Sequence, residues 1–425
     1  MSQPARVRVH STAGSAERVE HRPKGGGHTL PLDGVRACIV YDCLFPQTAG
    51  GAERWYRALA EDLVEDGARV TYLTRRQWDG EPPEITGVEV VAVMGAAELY
   101  HADGTRRSGP PLRFGAGVLA WLLGHRRDID TVHLANFPYF SLIAARLALA
   151  GTGVSIYVDW LEIWPRRFWR TYVGSLAGTV GAVVQQACIA LTPHAFVFLP
   201  ANAERLRRHR YRGPITVLAG LLPAASSRTA ARVTDRARPV ALFVGRHVKD
   251  KGVRLLPEIL ELARRALPDL ELVVAGDGPE RPLTEAEVRR RGLAACVRFT
   301  GRIDDDELLE LFSLATCTVV PSSREGYGLV VVESNAAGTP VVVAANPENL
   351  AVGLVSDGVN GYVVEPAPAA VADGIARVVA AGDRLRRSTL AWHRTQSRSS
   401  TIARSTSQVA AVYASDGAAR RARLR

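Results

Sequence analysis

Two glutamates, Glu325 and Glu333, stand eight positions apart in the segment S-S-R-E-G-Y-G-L-V-V-V-E-S-N-A-A-G-T-P of residues 322–340. The segment follows an apolar, strand-like run that ends at Val320, and open α/β sheets bind ligands at the carboxyl ends of their strands. A carboxylate only accepts hydrogen bonds and can hold two hydroxyls at once. If the spacing is helical, it gives roughly 12 Å of rise, which suits two hydroxyl-bearing rings joined by a diphosphate. The alternative is a pair of solvated glutamates.

A cationic turn, G-R-H-V-K-D-K-G, follows another strand-like run at residues 240–244. Within it, Arg246 can fork onto phosphate oxygens and Lys251 adds a compact positive charge. Two of the three lysines of this arginine-rich chain lie in this turn, which favours a role that needs an ammonium; surface charge around a turn is the alternative. A third turn, V-V-A-G-D-G-P-E, places Gly276 and Gly278 after the next strand; alone it is weak evidence for a site.

These three motifs, in this order, resemble glycosyltransferase family 4, the retaining GT-B enzymes. The resemblance rests on G-R-x4-K-G, A-G-D-G-P and E-G-[FY]-G-L-x3-E with its trailing A-x-G-x-P-V-V, and it covers residues 240–366. It implies that the second half binds a nucleotide-diphospho-sugar. In that scheme Arg246 and Lys251 hold the diphosphate, Glu325 meets the donor sugar and Glu333 takes the ribose hydroxyls. The resemblance assigns further donor contacts to the glycine turns and to the loop after Glu325: Gly245, Gly276, Gly278, Gly326, Tyr327, Gly328 and Leu329.

The first half carries weaker signals. Gly51 closes a glycine pair ahead of a predicted helix, where backbone can approach a phosphate or sugar closely, and the resemblance makes it a donor-cleft residue. His133 ends one predicted strand and Asp159 another. The family often shows an H-x-H pattern at His133, although Ala135 occupies its second position here. Its members often carry a histidine or an aspartate at the position of Asp159, and the resemblance makes His133 and Asp159 the acceptor-side candidates. Asp159 could orient or deprotonate an acceptor hydroxyl; a structural role is the alternative for each.

Three further segments bear on membrane contact. The stretch W-P-R-R-F-W-R-T-Y at residues 164–172 mixes aromatics with arginines, and residues 204–212 form a basic patch. Such stretches can rest on a membrane interface, and solvated faces with packed tryptophans are the alternative. The uncharged run 173–203 is long enough for a span, but its glycines, glutamines and proline favour a buried helix followed by a strand.

Short apolar runs alternate with helical stretches along the chain, which predicts parallel sheets with crossover helices. The pattern stops in an Ala/Ser/Arg-rich segment at residues 223–239 and then restarts. We therefore predict an α/β protein of GT-B type, with two Rossmann-like, doubly wound domains facing across a cleft. The predicted units are a disordered tail (1–33), an acceptor domain (34–225), a donor domain (226–390) and a C-terminal helix returning to the first domain with a basic tail (391–425).

Composition limits the function classes. The 425 residues are 47% hydrophobic and 23% charged, which excludes global disorder. Five scattered cysteines without a C-x-x-C pair argue against a zinc site or a disulfide framework and favour a reducing, cytoplasmic setting. The net charge of +10 favours anionic partners, but no recognisable nucleic-acid-binding motif accompanies it.

The function predicted from the sequence is retaining, hexosyl-type transfer from a nucleotide-diphospho-sugar to an acceptor hydroxyl. The predicted catalytic residues are Arg246, Lys251, Glu325 and Asp159. The acceptor is expected to be lipid-linked or a saccharide, with peripheral contact to the inner face of a membrane. No cofactor, no metal and no nucleic acid are expected. The alternatives are a GT-B epimerase, a phosphorylase, which the scarcity of lysines disfavours, and a nucleotide-sugar-binding protein without transferase activity.

Overall fold

The computed structural model describes residues 32–48, 50–99, 107–222 and 238–423 of the chain. The predicted tail therefore lies outside the described residues except for Leu32 and Asp33, and so does the predicted linker over residues 223–237. Of the basic C-terminal tail, the structure describes backbone as far as Arg423.

The first half forms a parallel sheet of seven strands in the order β3-β2-β1-β4-β5-β6-β7. Its strands are short runs rich in β-branched and aromatic residues, which suit a pleated, buried surface. They are β1 (Arg36–Val40), β2 (Arg69–Arg75), β3 (Val88–Met94), β4 (Thr131–Ala135), β5 (Ser155–Asp159), β6 (His194–Val197) and β7 (Ile215–Val217).

The second half forms a parallel sheet of six strands in the order β10-β9-β8-β11-β13-β15, with a separate ladder of β12 and β14. The chain order reverses between β1 and β4 in the first sheet and between β8 and β11 in the second, which are the points where such sheets bind ligands. These strands are β8 (Val240–Val244), β9 (Glu271–Ala275), β10 (Val297–Gly301), β11 (Cys317–Val320), β12 (Arg324–Glu325), β13 (Val341–Ala344), β14 (Glu348–Asn349) and β15 (Gly361–Val364).

Helices cover both faces of each sheet. Successive strand residues point to opposite faces, so the first sheet carries two separate buried clusters. One contains Phe114, Leu142 and Ile189, and the other contains Trp55, Tyr157 and Tyr413. The helices are α1 (Gly51–Glu65), α2 (Gly109–His125), α3 (Tyr139–Ala148), α4 (Arg166–Val173), α5 (Ser175–Leu191), α6 (Pro200–Arg208), α7 (Leu256–Arg264), α8 (Arg281–Arg290), α9 (Asp305–Leu314), α10 (Leu329–Ala336), α11 (Pro368–Gln396) and α12 (Ile402–Arg423).

The last two helices carry the chain back to the first half. Helix α11 packs on the second sheet and bends where Gly382 leaves helical geometry, and it runs through residue 390, where the sequence analysis placed a boundary. Helix α12 packs against α1. The end of the first half at Leu222 contacts the segment between α11 and α12, where the chain returns to the first half. The amide of Leu222 donates to the carbonyl of Ser400 (3.1 Å), and the amide of Ile402 donates to the carbonyl of Leu222 (2.9 Å).

The structure differs from the sequence prediction over the uncharged run 173–203. It forms a helix, α5, and a strand, β6, as expected, but the helix lies at the surface with Leu176, Val180 and Val183 exposed. The expectation of a buried helix was therefore wrong. Among the residues that the structure describes, no helix is both long enough and apolar enough to cross a membrane.

Candidate functional site

The cationic turn and the first glutamate meet at the carboxyl edge of the second sheet. The ammonium of Lys251 lies 2.7 Å from each carboxylate oxygen of Glu325, and the hydroxyl of Ser322 donates to Glu325 Oε1 at 2.8 Å. Glu325 is 8% exposed, so the pair is largely shielded from water. Lys251 comes from the turn after β8 and Glu325 from the segment after β11, and β8 and β11 are adjacent strands.

Backbone and side-chain contacts hold these two loops together. The amide of Ser323 donates to the carbonyl of Asp250 (2.8 Å), and the guanidinium of Arg324 donates to the Asp250 carboxylate (2.9 Å). Gly252 has φ +70°, and a Cβ there would lie 2.6 Å from the carbonyl oxygen of Pro321. Only glycine tolerates both the left-handed backbone and that approach, which explains the last position of the G-R-x4-K-G motif.

The other predicted donor residues of this edge lie in two interlocked turns. Gly276 has φ +113°, and a Cβ there would lie 2.0 Å from the carbonyl oxygen of Gly245. Gly278 packs in the same way against the carbonyl of His247. Arg246 stands between Gly245 and His247 with its side chain exposed. The glycines thus bring the turns together and leave the Arg246 side chain at the surface of the edge.

Glu333 belongs to a different part of the site. It lies within α10, whereas Glu325 precedes that helix in β12, so the eight-residue spacing does not correspond to a helical rise. Burial raises the pKa of Glu333 to about 7; the nearby Arg54 acts to lower it and Asp305 to raise it. Arg54 of the first half bonds Asp305 at 2.8 Å, which puts Glu333 beside a contact between the two halves.

The amino ends of two helices meet across the cleft. Gly51 begins α1, Leu329 begins α10, and a Cβ on Gly51 would lie 2.5 Å from Leu329 Cδ1. Gly328 caps α10 with φ +97°. Tyr327 points away toward the chain crossing, where its hydroxyl accepts from the amide of Leu221 (3.1 Å). Helix amino ends carry partial positive charge, so this junction suits an anion.

A cluster that the sequence analysis did not select joins the halves beside Glu325. The guanidinium of Arg324 lies 4.6 Å from the ring centroid of Trp164 and 4.9 Å from that of Phe168. The same group pairs with the carboxylate of Glu162. Gly326 adds to the contact, because a Cβ there would lie 2.7 Å from Glu162 Cγ. The only sequence signals were an arginine before the motif glutamate and an acid after β5.

This cluster also changes the interpretation of the aromatic and arginine-rich stretch. Trp164 and Phe168 face Arg324, and Trp169 is buried in the first core. The aromatics are therefore packed within the protein, which was the alternative interpretation. In the second basic patch, Arg205 pairs with Glu348 of the second half at 2.8 Å.

The two acceptor-side candidates lie in the core instead of the cleft. Asp159 has no exposed surface and His133 is 1% exposed. The indole of Trp55 donates to Asp159 (2.7 Å), His133 Nε2 lies 2.8 Å from the same carboxylate, and His133 Nδ1 lies 2.7 Å from the Tyr413 hydroxyl. Both side chains point to the α1 and α12 face of the sheet, where they join the last helix to the first domain. The carboxylate that reaches the cleft from this strand is that of Glu162, three positions later.

We expect Asp159→Ala to lower stability and to leave turnover intact. Removing one partner of a buried charge cluster costs about 3–5 kcal/mol, since the Trp55 indole loses its acceptor and His133 loses the carboxylate beside it. Urea unfolding would show the loss, while kcat per folded molecule stays within about twofold. Asp128→Ala, at an exposed position, is the control. A hundredfold loss of kcat with unchanged unfolding would return Asp159 to the reaction.

Over the described parts of the chain, no group of three or more His, Cys, Asp or Glu side chains could hold a metal ion. Metal independence stays a prediction, since it concerns the reaction and not the apoprotein.

The sequences of both halves match known glycosyltransferase families. The family model for glycosyl transferases group 1 matches residues 229–389, and that for the glycosyl transferase 4-like domain matches residues 50–220. A phosphatidyl-myo-inositol mannosyltransferase of Propionibacterium freudenreichii is 31% identical over 69% of this chain and 73% of its own length. An alpha-D-kanosaminyltransferase of Streptomyces kanamyceticus is 38% identical over 30% of this chain, a match that spans only 33% of that relative.

The HepE protein of Anabaena, solved in complex with UDP and glucose, has the same fold. The superposition has a TM-score of 0.66 and 17% identity, and it covers 90% of this chain and 100% of the other. The GT-B architecture expected from the motifs is thereby confirmed. With both halves matched in order and one relative aligned over most of its length, the chain belongs to the group 1 glycosyltransferases.

Proposed function

We propose that this protein is a retaining glycosyltransferase that moves a hexosyl group from a nucleotide-diphospho-sugar to an acceptor hydroxyl. The observation that carries the proposal is the pairing of Lys251 with Glu325 at 2.7 Å at the same interdomain cleft where the amino ends of α1 and α10 meet. A diphosphate is a dianion that an ammonium and helix amino ends stabilise. A sugar presents hydroxyl donors that a buried carboxylate accepts.

In this proposal the bond from the anomeric carbon to the diphosphate oxygen breaks and the acceptor oxygen replaces it on the same face. The diphosphate leaves with the electron pair, and the acceptor proton is released to it. Lys251, Arg246 and the amino end of α10 stabilise the charge that develops on the leaving group. Glu325 orients the sugar through its hydroxyls, and the two halves hold donor and acceptor together.

Two observations support a nucleotide-diphospho-sugar as the donor. Glu333 lies in α10 beside the contact of Arg54 with Asp305, at a distinct part of the cleft where it can accept two ribose hydroxyls. The HepE protein, which shares the fold, was solved with UDP and glucose. We propose no resident cofactor or metal, a cytoplasmic enzyme, and an acceptor that is lipid-linked or a saccharide.

A two-step experiment tests the proposal. Thermal shift with UDP-, GDP- and ADP-sugars should show one donor that raises the melting temperature, because it binds only the folded protein. That donor, incubated with lipid-linked and saccharide acceptors in EDTA, should give a product of unchanged anomeric configuration. Conversion of the donor without acceptor would support the epimerase alternative, and binding without turnover the non-catalytic one. Stabilisation by none of the donors, or strict dependence on a divalent metal, would contradict the proposal.

We expect donor affinity to rise with pH through the pKa of Glu333. The ionised carboxylate accepts two ribose hydroxyls, and protonation takes away part of that acceptor capacity. A pKa of about 7 means that the ionised fraction rises about tenfold between pH 6 and pH 8, and affinity should rise by up to the same factor. Without donor, the raised pKa makes folding stability fall as the pH rises from about 4.5, the ordinary value of a glutamate, to about 7. Calorimetry with the stabilising nucleotide-sugar at both pH values checks this.

Glu333→Gln should remove that pH dependence of affinity, whereas Glu310→Gln, at an exposed position of α9, should keep it. An unchanged profile in Glu333→Gln would separate Glu333 from the ribose.

A further inference from the structure

One side of the first domain exposes an unusual amount of apolar surface. Helices α2, α3, α4 and α5 cover the same face of the first sheet, and we call their outward surface the α2–α5 face. Of the eleven large apolar side chains that are exposed in the described part of the chain, six lie on it. They are Leu112, Leu123, Leu147, Leu176, Val180 and Val183.

Helix α5 provides the core of this surface. Leu176, Val180 and Val183 are 83%, 56% and 55% exposed, and the exposed Ala187 and Ala190 continue the series. Positions i, i+4, i+7, i+11 and i+14 of a helix fall within roughly 80° of one another, so these side chains form one apolar stripe. The opposite side of α5 carries the buried Ala182, Cys188 and Ile189. Contiguous exposed apolar surface of this kind marks an interaction site.

The charge of the α2–α5 face has one sign. Its four helices contain no aspartate or glutamate, and they carry five arginines, all exposed. Helix α1, on the other face of the same sheet, carries four acidic residues among its fifteen. The asymmetry is therefore a property of this face and not of the arginine-rich chain. The five arginines are Arg113, Arg146, Arg166, Arg167 and Arg170.

We propose that the α2–α5 face binds the surface of an anionic phospholipid bilayer. A helix whose apolar side enters the boundary between head groups and acyl chains, with arginines beside it, is held by burial and by attraction to anionic lipid. Helix α4 begins one residue after Pro165, and Trp164 contacts Arg324 at the cleft. The face therefore ends at the edge of the cleft, which would admit an acceptor anchored in the same bilayer. The membrane contact itself does not depend on the transferase activity.

Vesicle flotation with the full chain tests the proposal. The protein should float with vesicles of phosphatidylcholine containing 30% phosphatidylglycerol at least about tenfold more than with phosphatidylcholine alone. Raising the salt from 50 mM to 500 mM should lower binding, because ions screen the arginines. Equal binding to neutral vesicles, or none to either, would overturn the proposal.

Matched variants locate the contact. The double variant Leu176→Glu and Val183→Glu should lose at least about tenfold of the vesicle binding, since two charges would enter the apolar boundary. Leu283→Glu changes an exposed apolar residue of α8 in the second domain and should bind as the parent does. The pair Arg166→Gln and Arg170→Gln should weaken binding at low salt, with Arg289→Gln in α8 as its control. All these positions are exposed, so an unchanged melting temperature is expected of each.

Two outcomes would assign the face differently. If Leu283→Glu lost as much vesicle binding as the α5 variant, the contact would lie elsewhere. If sedimentation velocity showed a dimer that only the α5 variant dissociates, with no vesicle binding by the parent, the occupant would be a second copy. Either result overturns the bilayer proposal while leaving the proposed transferase activity untouched.

Discussion

Turnover is expected to fall at least about 10²-fold when Lys251 is replaced by methionine, on the scale of losing one preorganised charge donor. The variant removes the ammonium that we assign to the diphosphate leaving group. It also leaves the carboxylate of Glu325, 8% exposed, without its ion-pair partner. The measurement is kcat at saturating donor, with the melting temperature recorded for each protein.

Lys249→Met is the matched control, because Lys249 lies in the same short helical turn but is exposed; its turnover should stay within about twofold. Arg246→Ala should resemble Lys251→Met, with turnover lowered about 10²-fold. Should Lys251→Met fail to fold, Lys251→Met combined with Glu325→Gln removes the unpaired buried charge and is compared with Glu325→Gln alone, so that the further loss of turnover reports on Lys251. Near-normal turnover in a folded Lys251 variant would remove the ammonium from the mechanism.

The second large effect is expected at Arg324. Arg324→Met should lower kcat/KM for the donor by about 10²-fold, because a small displacement of the reacting groups costs that much. Arg324 is next to Glu325 and touches two rings and a carboxylate of the other half. Its loss should therefore displace both Glu325 and the first domain. Arg324→Lys should restore little, since an ammonium does not replace a stacked, forked guanidinium.

A double-mutant cycle with Glu162→Gln shows whether the effect passes across the cleft. We expect a coupling of about 0.5–3 kcal/mol between the two positions. Arg205→Gln breaks another contact between the halves, that with Glu348 of β14, the strand paired with β12, and leaves the partners of Arg324 in place. It should cost much less than Arg324→Met. Equal effects would mean that domain contact in general, and not the position of Glu325, is responsible.

The second half of the fold could be predicted closely because its signals are local. A strand-like run followed by glycine indicates both the end of the strand and the turn, and the run predicted at residues 240–244 is β8 to the residue. That Lys251 and Glu325 lie at one edge of the sheet follows from the same signals, since parallel strands end at one edge and both residues follow such strands. Their direct ion pair was not predicted, because the resemblance gives them different parts of the donor. Helices α4 and α6 were not predicted; both are short, with eight and nine residues, and too few to show a clear helical period.

The contacts between the halves could not be predicted. Arg324 and Glu162 are 162 positions apart, and no local pattern says that they meet. Asp159 was selected because it ends the strand and because relatives often carry a histidine or an aspartate there, but strand alternation decides which way its side chain points. Tyr157 and Asp159 share the face that α12 covers, while Glu162 follows in the loop at the cleft. The sequence alone does not show which face of the first sheet α12, from the far end of the chain, will cover.

The hydrogen-bonded contact between the segments at Leu222 and Ser400, through which the chain passes from one half to the other, has a mechanical consequence. Two connecting segments that are hydrogen-bonded side by side allow the halves to rotate about the contact between them, and they resist separation of the halves. The two halves should therefore open and close by a hinge rotation about a single axis. The Tyr327 hydroxyl accepts from the amide of Leu221 beside this hinge. A ligand that moves the glycine-rich loop around Tyr327 would therefore act close to the hinge axis. A small displacement there produces a large displacement at the side of the cleft that is far from the axis.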